Sequence, residues 1–300
     1  MKRNLVGACV VLAALWSAAA AMAASVVVTY PRSESPTDTQ YLYDYELLRQ
    51  ALEATVPSHG PFELKASEQP MNQARAGDVI AAGGGVVNIF ARSTAAEYER
   101  RFLPVRIPID KGLISWRVFL VREEMQPKFA AVSSLDDLRA FSVGSFTTWA
   151  DTKILRAGGF KVVTGDSYEG LFRMLVARRF DFFSRSADEA YREFDERRGV
   201  LPEMKVEQNL LLYFPTTRYF FVHRDAEGEK LAARIEEGLN LMVQAGSFDA
   251  YFLRYKGPLI ARAHLPTRKV FRIDNPFMSP ETRALLKSRP ELWYDPMKAR

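Results

Sequence analysis

The stretch that decides the fold runs from Ser142 to Arg185, SVGSFTTWADTKILRAGGFKVVTGDSYEGLFRMLVARRFDFFSR. Phe141–Val143 is a β-prone run ending in Gly144 and Ser145. Thr148 stands three residues before Asp151, a spacing that predicts a capping box and a helix start. The Gly158-Gly159 pair predicts the end of that helix, because glycine takes the left-handed terminal conformation without a steric cost. Phe160–Val163 reads as the next strand, and Asp166 with Glu169 predicts a second capping box. Tyr168, Leu171, Phe172 and Leu175 recur at helical spacing, so one apolar face should dock on a sheet. Phe180–Phe183 closes the unit as an apolar strand. Strands alternating with helices predict parallel βαβ units, which bind ligands beyond the carboxyl ends of their strands. That edge carries Gly144, Ser145, Thr147, Thr148, Trp149, Arg185 and Ser186.

Ser134–Gly144 (SLDDLRAFSVG), the threonine-rich helix start and DSYEGLFRMLVARRFDFF together resemble the second lobe of family-3 periplasmic solute-binding proteins. Tyr219–Gly257 resembles the same family's closing segment, with a strand, a long helix, the break Ala245-Gly246-Ser247-Phe248 and a final helix. The resemblance implies an α/β, two-lobed periplasmic-binding fold of type 2 with two hinge crossings, here followed by a C-terminal tail. It implies a signal peptide over 1–23, lobe one over 24–121, lobe two over 122–216, a return to lobe one over 217–257, and a tail over 258–300. The crossings would be Trp116–Arg122 and Thr217–His223. The matches lie between Ser134 and Gly257; the N-terminal third resembles the family more weakly.

Met1–Ala23 has the form of a signal peptide: Lys2 and Arg3, an apolar run over Leu5–Ala20, and Ala21-Met22-Ala23 as a cleavage site. The run is short for a membrane anchor, and almost no apolar segment precedes Cys9 to make it a lipoprotein box. Cys9 is the only cysteine, so a processed chain has no disulfide, thiol nucleophile or thiolate metal site. Loss of Lys2 and Arg3 takes the formal charge from +5 to +3, and the arginines are scattered, which does not suggest a nucleic-acid partner. A periplasmic monomer is expected.

Val26–Tyr30 reads as the first strand, and Tyr41, Tyr45, Leu48 and Leu52 mark the face of the first helix. Tyr43 falls off that face and reads as a surface tyrosine. Phe62–Leu64 is a second strand and Pro70–Ala82 a helix. Gly83-Gly84-Gly85 lacks the Lys and Ser/Thr of a phosphate loop and precedes a strand, Val86–Ala91, so it reads as a tight turn. The alternating charges over Asp188–Arg198 read as a solvated helix with paired neighbours. Asn275-Pro276-Phe277 and Trp293-Tyr294 suggest a tail that packs back on a lobe.

The three histidines, His59, His223 and His264, are far apart and without ligand-like spacing, so neither a metal nor a cofactor is expected. No nucleophile-elbow motif is present, and binding without catalysis is the expectation. Thr94 followed by Arg100 and Arg101 resembles the family's threonine-then-arginine element, in which the arginine grips the ligand carboxylate; either arginine fits. Guanidinium offers the planar, two-pronged donor a carboxylate needs. Thr147 and Thr148 at a helix start suggest an anion cradle, and Trp149 a stacking surface. Where the family places an acidic partner for a ligand ammonium, this chain has Ser186 beside Arg185, and no carboxylate until Asp188. Arg185 and Ser186 therefore join Arg100, Arg101, Thr147, Thr148 and Trp149 as candidate ligand contacts, favouring an anionic solute. Asp188 or Glu189 bending into the cleft would restore amino-acid binding. The expected role is capture by hinge closure, with an ABC permease as partner. The rivals are a ligand sensor for a membrane signalling protein and a cyclohexadienyl-type dehydratase using Glu189.

Overall fold

The computed structural model describes residues 25–33 and 41–298. The signal-peptide stretch, with Cys9, lies outside the described residues. Lobe one begins with β1 (Val26–Arg32), α1 (Leu42–Ala54), α2 (Val56–His59), β2 (Phe62–Pro70) and α3 (Gln73–Ala82). It continues through β3 (Ile89–Ser93), α4 (Ala96–Arg101) and β4 (Leu103–Val105). Lobe two carries β5 (Trp116–Arg122), α5 (Gln126–Ala130), α6 (Leu135–Arg139), β6 (Ser142–Phe146), α7 (Ala150–Ala157) and β7 (Lys161–Gly165). Then come α8 (Tyr168–Val176), β8 (Phe182–Ser186), α9 (Ala187–Arg197), β9 (Met204–Val206) and β10 (Leu210–Tyr213). The chain returns through β11 (Arg218–Val222), α10 (Ala226–Gln244), α11 (Ser247–Ala263), β12 (Lys269–Arg272) and α12 (Pro280–Ser288).

In lobe one β1 and β2 pair in parallel, and β11 lies antiparallel between β3 and β4. Leu47, Leu48, Ala51 and Leu52 of α1 recur at helical spacing and are fully buried, facing Leu231, Ile235 and Leu239 of α10. The helices meet so closely that a Cβ on Gly238 would stand 2.0 Å from the Ala51 carbonyl oxygen. Tyr43, expected on the surface, is buried, and its hydroxyl donates to the Ile109 carbonyl (2.9 Å). Tyr251 and Tyr255 of α11 pack against its ring, at centroid distances of 4.9 and 6.0 Å, and cover this flank of α1.

Lobe two is built on one sheet in the order β12-β10-β5-β8-β6-β7, with β9 also paired to β5. β6, β7 and β8 are mutually parallel, as the opening stretch predicts. β5 is buried along its whole length and pairs with β8, β9 and β10, so Trp116–Arg122 belongs to this sheet and does not span the lobes. The crossing lies just before it, where the Ser115 hydroxyl donates to the Thr216 carbonyl (2.7 Å) and accepts from the Thr216 amide (3.0 Å).

Two helix starts differ from expectation. Trp149, with no side-chain cap, precedes α7, and the Thr152 hydroxyl donates back to the Phe146 carbonyl (2.7 Å). Ser167, not Asp166, caps α8 by accepting from the Gly170 amide (3.1 Å). Gly158 ends α7 as predicted, followed by Gly159 at φ 85°. The α9 charges are not simply solvated, since Asp188, Glu193 and Arg197 are buried.

The end of the return segment and the tail bind both lobes. α11 sends the Tyr251 hydroxyl to the Tyr43 carbonyl in lobe one (2.7 Å), while its far end packs on α9 in lobe two. β12 extends the lobe-two sheet beside β10. The chain then returns to lobe one, where Ser279 and Thr282 each donate a hydroxyl hydrogen to the buried Glu99 carboxylate (both 2.8 Å). Trp293 covers Gly112, and the Tyr294 amide donates to the Lys111 carbonyl (2.7 Å).

Candidate functional site

The cleft between the lobes opens at the carboxyl ends of β6 and β8, where the topology of a parallel unit puts it. Its wider part, about 470 Å³, is lined from lobe one by Tyr41, Met71, Asn72 and Gln73, and from lobe two by Phe146, Thr148, Trp149, Asp166 and Tyr168. Its deep end, about 30 Å³, shares Gln73 and Trp149 and adds Arg92, Asp151, Arg185, Glu189 and Arg218. That volume holds a water or two and no larger solute.

Most charges at the deep end come already paired. Arg185 of β8 is buried and grips Glu193 of α9 (Nη2–Oε1 2.7 Å, Nε–Oε2 2.9 Å), with Glu189 at 3.2 Å. Its guanidinium lies 4.6 Å over the Trp149 ring. Burial pushes the Glu189 carboxyl up, but Arg185, Arg117 and Arg218 outweigh burial and hold it far below the usual range. Arg117 of β5 pairs with Asp151 of α7 and donates to the Ile114 and Ser184 carbonyls (3.0 Å each). Arg218 of β11 pairs with Asp44 of α1.

Arg92, at the end of β3, is the exception. It is 6% exposed, and its Nε is buried without a hydrogen-bond partner. Its guanidinium lies over the rings of Tyr98 (3.6 Å) and Phe90 (5.9 Å); no carboxylate among the described residues is within ion-pair distance, and Glu97, whose charge reaches it, is held by Lys153. Burial accordingly pulls its pKa below the usual arginine value. A buried cation without a counter-charge is costly, and this one lines the deep cavity.

The residues expected from sequence divide. Trp149 lines both parts of the cleft, Thr148 the wider part and Arg185 the deep end. Thr147 is exposed and bonds the Gly165 carbonyl (3.1 Å from its amide). Ser186 is buried as the N-cap of α9, its hydroxyl on Asp188 (2.7 Å). Arg101 is exposed on α4 and pairs with Asp78, and Arg100 lines a separate crevice of about 230 Å³ with Lys153 and Phe277. Neither lines the cleft, because α4 turns that face outward and gives Glu99 to the interior. Asp188 is taken by Lys256, whereas Glu189 does reach the cleft wall. Sequence reading passed over Arg92, whose signal is an arginine directly after the apolar run Ile89-Phe90-Ala91.

A larger groove of about 1050 Å³ runs over lobe one beside Tyr30, Tyr45 and Phe62. Its Arg49 is met by Glu46 (2.8 Å) and by Glu53. Arg234, also buried with an unpartnered Nη1, lies outside the cleft and donates to the Thr55 hydroxyl (3.1 Å) and the Gly60 carbonyl (2.7 Å), so among the described residues that line the cleft Arg92 is the buried arginine with no hydrogen-bond partner.

No family model and no curated protein matches the chain. Solved structures do. A histidine kinase sensor domain described as similar to periplasmic binding proteins aligns over 79% of this chain and 97% of its own, at 17% identity and TM-score 0.56. An ancestral arginine-binding protein bound to arginine aligns over 78% and 99%, at 15% identity and TM-score 0.55. A binding component of an ABC transporter from Wolinella succinogenes, complexed with lysine, aligns over 77% and 95%, at 15% identity and TM-score 0.56. This is the two-lobed periplasmic-binding fold. The likeness is one of architecture, and within that fold the chain carries its own set of cleft charges.

Proposed function

We propose that the protein is a periplasmic solute receptor that captures a small carboxylate between its lobes, with Arg92 as the anchor. The observation that carries this reading is the buried Arg92 guanidinium, which has no ion-pair or hydrogen-bond partner among the described residues, at the deep end of the cleft. A carboxylate accepts two parallel hydrogen bonds from a guanidinium and neutralises it, so the ligand offsets a desolvation cost the empty protein bears. The deep end is too small for that carboxylate as it stands, so binding moves Gln73, Trp149 or the lobes themselves. Hinge movement about Ser115 and Thr216 is the kind this fold supports. Glu189, the acid a dehydratase reading would use, is committed to Arg185 and is a poor general acid.

The partner is a membrane protein that reads the occupied receptor, either an ABC permease or a signalling sensor. Both kinds of system occur among proteins of this fold. The test is a thermal-shift screen of the purified protein against monocarboxylates, dicarboxylates and amino acids. A ligand at 100 times its Kd adds about 2.7 kcal/mol of stability. Arg92→Met should abolish that shift while leaving the empty protein at least as stable as wild type, since methionine fills similar space without a buried charge. A ligand shift that survives in Arg92→Met refutes the anchor.

A further inference from the structure

The deep end of the cleft has already spent its carboxylates. Asp151 and Glu189 are the acids that line it. Asp151 is held by Arg117, which is itself fully buried. Glu189 faces the Arg185 guanidinium (3.2 Å) and accepts from the Ser186 amide (3.1 Å). Behind them, Glu193 is fully buried and takes Arg185 through Nε and Nη2. Arg185 completes the arrangement by lying over Trp149 at 4.6 Å, a cation resting on an aromatic face.

An α-amino acid carries its ammonium on the carbon next to its carboxylate. A carboxylate held by Arg92 therefore brings the ammonium into this same deep end. There the lining acids, Asp151 and Glu189, are already paired, and it meets Arg185, a like charge; the cleft's other acids, Asp166 and Glu169, line the wider part. A desolvated ammonium without a counter-charge is costly. Resting on the carboxylate reading above, we infer that the cleft selects carboxylates lacking an α-ammonium group. The chain's own Arg185 guanidinium holds the place on Trp149, Glu189 and Glu193 that a ligand cation would take. The body of such a ligand extends into the wider cavity, against Phe146, Trp149 and Met71.

The experiment is isothermal titration of the purified protein with two matched pairs: 3-phenylpropionate against L-phenylalanine, and glutarate against L-glutamate. Members of each pair differ by the α-ammonium alone. The expected result is that the member without ammonium binds at least about ten-fold more tightly in whichever pair binds. An amino acid that binds as tightly as its partner, or more tightly, overturns the inference and leaves the receptor reading standing. Silence in both pairs with a hit elsewhere in the wider screen overturns the inference if that hit is an α-amino acid and supports it if the hit is a carboxylate without ammonium. Silence across the whole screen overturns both. Arg185→Gln, with its fold checked by circular dichroism, removes the resident cation from Glu189 and Glu193, which keep the Ser186 amide (3.1 Å) and the Tyr168 hydroxyl (2.7 Å) as partners. It should narrow the ratio within the binding pair several-fold; an unchanged ratio refutes the role given to Arg185.

Discussion

The tail after β12 returns to lobe one, where two of its hydroxyls meet a single carboxylate, so removing them has a calculable cost. Glu99 is buried and accepts four hydrogen bonds: from Thr94 (2.7 Å) and Thr282 (2.8 Å) on Oε1, and from Arg106 and Ser279 (2.8 Å each) on Oε2. Two of these donors, Ser279 and Thr282, belong to the tail. Replacing them by Ala and Val keeps the apolar shape and removes both hydroxyls. A hydrogen bond to a charged group contributes about 1.5–3 kcal/mol. Ser279 also caps α12 by accepting from the Thr282 amide (3.0 Å), and a lost cap costs about 1 kcal/mol. Because both bonds end on one carboxylate, the losses are not additive, and about 3–4 kcal/mol is the expected total. With an m-value of about 3 kcal/mol/M, the urea midpoint should fall by about 1 M. Amide exchange in α12 should rise well above that in β5, whose buried strand lies in the middle of the lobe-two sheet. A midpoint within about 0.2 M of wild type would falsify the view that this node fastens the tail to lobe one.

Two further perturbations test the interior. Burial raises the folded-state pKa of Asp44 from 3.8 to about 6, against the opposing pull of Arg218 and Lys256. The folded state thus holds that proton more tightly than the unfolded chain. The resulting stability is fully present below pH 3.8 and is lost as pH rises through 6, amounting to roughly 3 kcal/mol at about 1.4 kcal/mol per pKa unit. The stability of wild type minus that of Asp44→Asn should fall across this window, and a difference that rises with pH contradicts the assignment. Gly112 sits at φ 66° with Trp293 so close that an added Cβ would stand 2.3 Å from the indole. Gly112→Ala should therefore destabilise by about 2–4 kcal/mol and expose Trp293, read as a red shift in tryptophan emission; an unchanged spectrum and midpoint refute the packing described.

How much of this was legible in the chain follows from what each feature depends on. Local patterns set the parallel β6-α7-β7-α8-β8 unit, because apolar spacing and glycine stops act over a few residues. They also placed β5, β11 and the position of Trp149 beside the cleft. The same signals misplaced two helix caps, since several hydroxyl and carboxyl groups compete within a turn and packing chooses among them. The candidate site was legible in kind, as arginine and aromatic residues on one sheet edge, but only partly in detail. Arg100 and Arg101 satisfy the sequence spacing and point away from the cleft; Arg92 satisfies no motif and lines it.

The sequence by itself determined the alternation of strands and helices and the residue types gathered at the ends of β6 and β8. Only the tertiary structure decided which charges are free. Asp44 meets Arg218 across 174 positions and Thr282 meets Glu99 across 183, so both pairings exist only once lobe and tail have packed. Whether a buried arginine is a structural cation or a ligand anchor depends on the carboxylate that reaches it in space. Arg185 has two within 3.2 Å, and Arg92 has none among the described residues.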